Sequence, residues 1–228
     1  MLVLWDIDGT LLSSEGIGAR GLVDAGVELF GETFSLDGIE LGGRLDPLIF
    51  REAMAAIGRD DHDEHHSGYR ARYLQKLESL LAAGHDVQIL PGVVELIKRL
   101  AGHDGVTMAL VTGNYMESAH MKLEAAGIDP GLFTGGAFGD EGEIRHDLPP
   151  LAIERFRTEH DRDPVDIVLL GDTEHDVTSG QAAGCRVLAV CTGSHPAERL
   201  HDSGADLVLE DLSDVESVLK WILRDHRS

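Results

Sequence analysis

Two carboxylates, a glycine and a hydroxyl follow a short apolar run at the start of the chain: Asp6, Asp8, Gly9 and Thr10 come after residues 2–5. The run has the length of a buried strand, and residues two apart in a strand point to the same side. Asp6 and Asp8 are therefore expected to face one pocket, where two close carboxylates would repel. A divalent cation removes that conflict, and Mg²⁺ prefers oxygen ligands and substrate phosphate. The stretch predicts a site for Mg²⁺ and a phosphorylated ligand.

Two further polar clusters each follow an apolar run of strand length. They are, in chain order, Thr112, Gly113 and Asn114 after residues 107–111, and Asp172 and Asp176 after residues 166–170. Ligands of parallel sheets bind at the carboxyl ends of the strands. All three clusters are therefore expected to open onto one crevice.

A phosphate monoester in that crevice would meet an ionised aspartate that needs no base to activate it. Asp6 could attack phosphorus and form an aspartyl-phosphate. Asp8 could give the leaving alcohol its proton, and could then take a proton from the water that hydrolyses the intermediate. Mg²⁺ would neutralise the phosphoryl oxygens during the transfer. The residues predict phosphomonoester hydrolysis.

Apolar runs of strand length alternate with amphipathic helical patterns over most of the chain. This alternation is typical of an α/β fold, a parallel sheet with helices on both faces. Residues 14–89 read instead as an inserted, all-helical segment, within which Asp46 is predicted to be an N-cap and Pro47 the first residue of its helix. We therefore expect a sheet-containing core formed by residues 1–13 and 90–228.

The first polar stretch resembles the Asp-x-Asp-Gly-Thr signature of the haloacid dehalogenase superfamily. Thr112 resembles the second signature of that superfamily, and Asp172 with Asp176 resembles the fourth. The resemblance implies a Rossmann-like core and an inserted helical cap. It also implies that Mg²⁺ is bound by Asp6, Asp8, Asp172 and Asp176, and phosphate by Gly9, Thr10, Thr112, Gly113 and Asn114.

The third signature is normally a lysine shortly before a proline, and this chain departs from it. Arg145, four residues before Pro149, is the candidate replacement. It can supply the positive charge, although with a forked rather than a point geometry. Lys122 is a weaker rival, because it lies within the predicted amphipathic helix 115–126 and is expected to be solvated.

The stretch 42–46 of the insert resembles the Gly-Arg-Thr-Asp cap loop of phosphoglycolate phosphatase-like members, with Leu45 in place of threonine. Arg44 is the residue expected to contact the part of the substrate beyond the phosphate. The nearby group His62, His65 and His66 lacks a second cluster of metal ligands at a defined spacing, so we expect a solvated face there.

The formal charge is −22, from 19 basic and 41 acidic residues. Such a chain repels nucleic acid and anionic membranes, so we expect neither as a partner. The sequence has no apolar run long enough to cross a bilayer and no basic, signal-like N-terminus. The two cysteines are read as small core residues. We therefore expect a cytoplasmic protein whose partner is a small phosphorylated metabolite.

A Mg²⁺-dependent phosphatase is the leading interpretation, and two others stay open. A sugar phosphomutase of the β-phosphoglucomutase type would carry the same four signatures. A non-catalytic metal- or phosphate-binding regulatory module would use Asp6 as a phosphate acceptor, but it would not need Asp8. Asp8 also argues against a dehalogenase, since a halide leaves without a proton. The sequence leaves open the substrate, and whether the protein is a monomer or a small homo-oligomer.

Overall fold

The computed structural model describes residues 1–84 and 87–224. Within these ranges, one sheet is formed by six parallel strands: β1 (Leu2–Trp5), β4 (Thr107–Val111), β5 (Gly136–Ala137), β6 (Ile167–Gly171), β7 (Arg186–Val190) and β8 (Leu207–Leu209). Their order in the sheet is β5-β4-β1-β6-β7-β8. The first strand lies inside this sheet, hydrogen-bonded to β4 on one side and to β6 on the other.

Helices cover both faces of the sheet, because alternate strand residues point to opposite sides. Val3 and Trp5 pack into one buried cluster, and Leu2 and Leu4 pack into another on the opposite face. The helices of this part of the chain are α4 (Val93–Ala101), α5 (Met116–Ala125), α6 (Leu148–His160), α7 (Glu174–Ala182), α8 (Ala197–Asp202) and α9 (Val215–Leu223). The predicted α/β class is confirmed.

Three helices between β1 and β4 form a second, smaller body with its own apolar core, which we call the helical insert: α1 (Ile17–Phe30), α2 (Asp46–Ala56) and α3 (His62–Ala82). Phe50 of α2 and Tyr69 of α3 stack in this core with ring centroids 4.0 Å apart. No helix in the described ranges is long and apolar enough to cross a membrane.

The insert is joined to the sheet by a two-stranded antiparallel ribbon, in which β2 (Leu12–Ser13) pairs with β3 (Gln88–Ile89). The prediction of an all-helical segment over residues 14–89 is therefore wrong at its end. Two residues are too few to produce a readable alternation of apolar and polar side chains. Residues 85 and 86 of that segment, and residues 225–228 of the predicted core, lie outside the described ranges.

Asp46 is not the N-cap that its position before Pro47 predicts. The N-cap residue of α2 is Leu45, and the Asp46 carboxylate instead accepts a hydrogen bond from the Tyr115 backbone N–H at 3.1 Å. The Asp46 backbone N–H donates to the Gly113 carbonyl oxygen at 2.8 Å. The start of α2 is thus bound to the start of α5, which joins the insert to the sheet-containing core.

Candidate active site

A cavity of about 470 Å³ lies at the carboxyl ends of β1, β4 and β6, under the helical insert. Asp6, Thr112 and Asp172 each follow one of these strands and line the cavity. Insert residues form the opposite wall, including Arg44 from the loop before α2. The three polar clusters thus share one crevice, as the rule for parallel sheets predicts.

The loops after β1 and β7 enclose Asp172 so closely that side chains would not fit there. A Cβ atom at Gly193 would lie 1.6 Å from Asp172 Oδ2, and one at Gly9 would lie 2.5 Å from it. Gly9 also has a φ of 80°, a conformation that glycine adopts without strain. The Thr192 hydroxyl donates to the Gly9 carbonyl oxygen at 2.5 Å and joins the two loops.

Asp6, Asp172 and Asp176 form a buried cluster in which one carboxylate oxygen of each residue lies within 4.8 Å of those of the other two. Burial raises the pKa of Asp6 to about 7, although the neighbouring Arg145 opposes the shift. Burial also raises the pKa of Asp172 well above its usual value, and the charges of Asp6 and Asp176 add to the effect. The cluster therefore disfavours its own ionisation unless further positive charge is supplied.

The three carboxylates fit a divalent cation. Arg145 is the one buried cation that contacts them among the described residues, so full ionisation leaves two negative charges without compensation. Asp172 Oδ1 is buried and has no hydrogen-bond partner in the described part of the chain. Buried charges are normally paired or bound to metal, and hard cations such as Mg²⁺ take carboxylate oxygens.

Arg145 lies in a 3-10 turn (Arg145–Asp147) before α6 and contacts the carboxylate cluster. Its Nη2 atom donates to Asp6 Oδ1 at 2.9 Å, to Asp176 Oδ1 at 2.5 Å and to the Val111 carbonyl oxygen at 2.9 Å. The guanidinium thus fixes the candidate nucleophile beside the candidate metal ligands. Arg145 therefore contacts the carboxylate cluster directly, and its role in place of the third signature's lysine stays a prediction.

Lys122 is not solvated as predicted; it is 3% exposed and lies at the cavity wall. Its Nζ atom donates to Asp8 Oδ2 at 2.6 Å and to Asn114 Oδ1 at 2.7 Å. The prediction fails because helical periodicity does not reveal that the face of α5 bearing Lys122 adjoins two polar loops. The sequence signal that was available is a lone lysine eight residues after Asn114, in the helix that follows it.

The Asp8 side chain is not part of the three-carboxylate cluster. It accepts hydrogen bonds from Ser14, Asn114 and Lys122. Burial alone would raise the pKa of Asp8, but the charge and hydrogen bonds of Lys122 and Asn114 outweigh burial and hold the pKa below its usual value. Asp8 thus lies outside the group of three carboxylates that could hold a metal ion, and its role as a metal ligand stays a prediction.

The predicted phosphate-binding residues divide into two groups. Thr112, Gly113 and Asn114 line the cavity, where the Thr112 hydroxyl accepts a hydrogen bond from Asn114 Nδ2 at 2.8 Å and keeps its own proton available. Gly9 also lines it, but Thr10 does not: its hydroxyl is buried without a partner among the described residues. The loop Thr192 to Ser194 lines the cavity as well and was not predicted, although it too follows a strand.

The surroundings of Arg44 and of the histidine group in the insert were not predicted from the sequence. Arg44 reaches the cavity but is paired with Glu52 of α2. The histidine group is not simply a solvated face, because His66 Nε2 lies 2.9 Å from the Tyr115 hydroxyl and His65 Nε2 lies 3.2 Å from Asp61 Oδ2. The contact with Tyr115 joins residues 49 apart in the chain, so sequence spacing does not reveal it.

Comparisons with known proteins agree with this geometry. The model of the haloacid dehalogenase-like hydrolase family matches residues 3–180, and a second model of related hydrolases matches residues 147–215. The chain is 30% identical over 224 residues to the phosphoglycolate phosphatase of Aliivibrio fischeri, covering 96% of each chain. It is 25% identical to the pyrophosphatase PpaX of Bacillus pumilus, covering 95% of each.

Two solved structures share the fold. CbbY of Rhodobacter sphaeroides, solved with phosphate, matches with a TM-score of 0.71 at 21% identity, covering 94% of this chain and 95% of the other. A candidate β-phosphoglucomutase of Bacteroides vulgatus matches with a TM-score of 0.72 at 19% identity, covering 100% and 90%. At these identities the likeness extends to the fold alone.

Proposed function

We propose that the chain is a Mg²⁺-dependent phosphatase of small phosphomonoester metabolites. It belongs to the haloacid dehalogenase-like hydrolase family. One observation carries this proposal: the two aspartates of the first motif are held apart for different tasks. Asp6 lies with Arg145 beside the carboxylate cluster, whereas Asp8 lies with Lys122 and Asn114.

Asp6, Asp172 and Asp176 would hold the metal ion. When bound, the ion supplies positive charge that stabilises the phosphoryl oxygens in the transition state. Arg145 keeps the Asp6 carboxylate in place through Oδ1, which leaves Oδ2 to attack phosphorus. The Thr112 hydroxyl lines the cavity and would bind the transferred phosphoryl group, while the Asn114 side chain is hydrogen-bonded to Asp8, Thr112 and Lys122.

The reaction then follows in two steps. In the first, the bond from Asp6 to phosphorus forms, the bond from phosphorus to the substrate oxygen breaks, and Asp8, which must enter this step in its protonated form, gives that oxygen its proton. In the second, Asp8 takes a proton from water as the water attacks phosphorus, which releases inorganic phosphate and restores Asp6. General acid–base catalysis of this kind contributes about 10²–10⁴-fold to the rate.

The substrate of this proposal is a small metabolite of the phosphoglycolate type, in the cytoplasm. The relatives named phosphoglycolate phosphatase support it, as does a cavity of about 470 Å³ that is lined partly by the insert and has room for a small metabolite. Arg44, at the cavity wall, would contact the part of the substrate beyond the phosphate. The insert would act as the cap.

A sugar phosphomutase is the second candidate, because the cavity has the volume of a typical metabolite site and would admit a sugar phosphate. The two candidates differ in the fate of the phosphoryl group. A phosphatase releases it to water, and a mutase returns it to another hydroxyl of the sugar.

The test is phosphate release from phosphoglycolate, hexose phosphates and nucleoside monophosphates, with Mg²⁺ and with a chelator. We expect release that requires Mg²⁺ and that is lost in Asp6→Asn but kept in Asp60→Asn, a matched change at an exposed aspartate. Isomerisation of a hexose phosphate without release would favour the mutase. No turnover of any ester would favour a regulatory module that binds metal or phosphate without catalysis.

A further inference from the structure

Two buried cationic side chains line the cavity in the described part of the chain, and each contacts a different aspartate of the first motif. Arg145 contacts Asp6, and Lys122 contacts Asp8. We propose that Lys122 is a positioning residue for the leaving group: it holds Asp8 where Asp8 can protonate the departing oxygen. This inference rests on the proposed phosphatase function and adds a residue to it.

The hydrogen bonds around Asp8 form a closed arrangement. Lys122 Nζ lies 2.6 Å from Asp8 Oδ2 and 2.7 Å from Asn114 Oδ1, and Asn114 Nδ2 donates to the same Asp8 oxygen at 2.8 Å. The Ser14 hydroxyl holds the other oxygen, Oδ1, at 2.9 Å. Three donors from three segments therefore fix both oxygens, while the Asp8 side chain stays 38% exposed and within reach of a ligand.

Arg145 serves the other aspartate, because its Nη2 atom donates to Asp6, Asp176 and the Val111 carbonyl oxygen. Burying an ammonium group is costly unless it is paired and hydrogen-bonded. Among the described residues, Lys122 meets that requirement through two groups at the cavity wall, Asp8 and Asn114. The charge of Lys122 is therefore directed at Asp8.

The insert reaches the same ammonium group. Gly18 of α1 has no side chain at the point where a Cβ would lie 3.1 Å from Lys122 Nζ and 3.4 Å from Cε. One turn later, a Cβ at Gly21 would lie 3.1 Å from Tyr73 Cε2 instead. Gly18→Ala and Gly21→Ala are therefore a matched pair of variants on one helix. The new methyl group crowds the Lys122 ammonium in Gly18→Ala and the Tyr73 ring in Gly21→Ala, at the same distance.

The test compares two esters that differ in their need for a proton. The alcohol part of an alkyl phosphate such as phosphoglycolate would leave as an alkoxide and therefore needs a proton. The alcohol part of p-nitrophenyl phosphate leaves as a stable phenolate and does not. The measured quantity is kcat/KM, which reports the steps up to departure of the leaving group. For Lys122→Met we expect kcat/KM on the alkyl ester to fall about 100-fold, and on the nitrophenyl ester by about tenfold or less.

Gly18→Ala should lower the same ratio of kcat/KM values in the same direction and by a smaller factor, because the ammonium must yield by a few tenths of an ångström. Gly21→Ala, and Lys98→Met at an exposed lysine, should leave the ratio unchanged. Gly18→Ala also covers the case in which Lys122→Met does not fold, since alanine favours a helix more than glycine does.

An equal loss on both esters in folded Lys122→Met, or a ratio unchanged in Gly18→Ala, would overturn the positioning role and leave the phosphatase function standing. Failure of the unmodified protein to release phosphate from any ester would overturn the proposed function, and the role of Lys122 with it.

Discussion

Asp46 offers a sharp test of how the helical insert is attached to the core. Its carboxylate is buried, and the backbone N–H of Tyr115 is the hydrogen-bond donor that the structure gives it. Burial raises the pKa of Asp46 to about 7, with Lys122 opposing the shift. Asp46→Asn keeps an oxygen that can accept the Tyr115 bond but removes the ionisation.

The sign and size of the effect follow from linkage between protonation and folding. The pKa of Asp46 is higher in the folded protein than in the unfolded chain, so its contribution to stability is complete below pH 3.8 and is lost as the pH rises through about 7. A change from 3.8 to about 7 corresponds to about 4 kcal/mol at most. Asp46→Asn should remove this loss. The free energy of unfolding of the variant should therefore rise relative to that of the wild type as the pH rises.

The assay is urea unfolding of wild type and Asp46→Asn at pH 5 and pH 8, with the free energy of unfolding taken from each curve. We expect the advantage of the variant to be larger at pH 8 than at pH 5 by about 1–3 kcal/mol, a discounted part of that upper value. Asp60→Asn, at an exposed aspartate, should show no such change. Equal differences at both pH values would refute the reasoning.

Three further predictions concern the carboxylate cluster. Arg145→Met should lower the free energy of unfolding by about 3–5 kcal/mol, because it leaves Asp6 and Asp176 buried without their cation; a change below about 1 kcal/mol in urea unfolding would contradict the buried ion pairs. Mg²⁺ at about 100 times its dissociation constant should stabilise the wild type by about 2.7 kcal/mol and Asp172→Asn by much less, as measured by thermal unfolding with and without a chelator. Gly193→Ala should abolish the same Mg²⁺ response, because its Cβ would occupy the space of Asp172 Oδ2, and a full response in that variant would place the metal elsewhere.

The sheet-containing core could be predicted closely because its signals are local. The strand β4 was predicted to the residue, since its apolar run ends at the polar loop that begins with Thr112. The convergence of Asp6, Thr112 and Asp172 also followed from a general rule of parallel sheets.

The features that were missed depend on tertiary contacts. Lys122 lies on a helix whose polar residues read as solvated, and its burial depends on Asp8, more than a hundred residues away in the chain. Asp46 stands beside a proline in the manner of an N-cap, yet it binds the N-terminus of a different helix. No periodicity in the sequence encodes either pairing.

The most direct test of the central claim is to trap the phosphorylated enzyme. Borohydride reduces an aspartyl-phosphate to homoserine, which mass spectrometry of the digested protein locates by residue. With a turned-over phosphomonoester and Mg²⁺, the account predicts homoserine at position 6, and none when the substrate is omitted. Phosphate release at full rate with Asp6 unmodified, or with homoserine at another aspartate, would contradict the account.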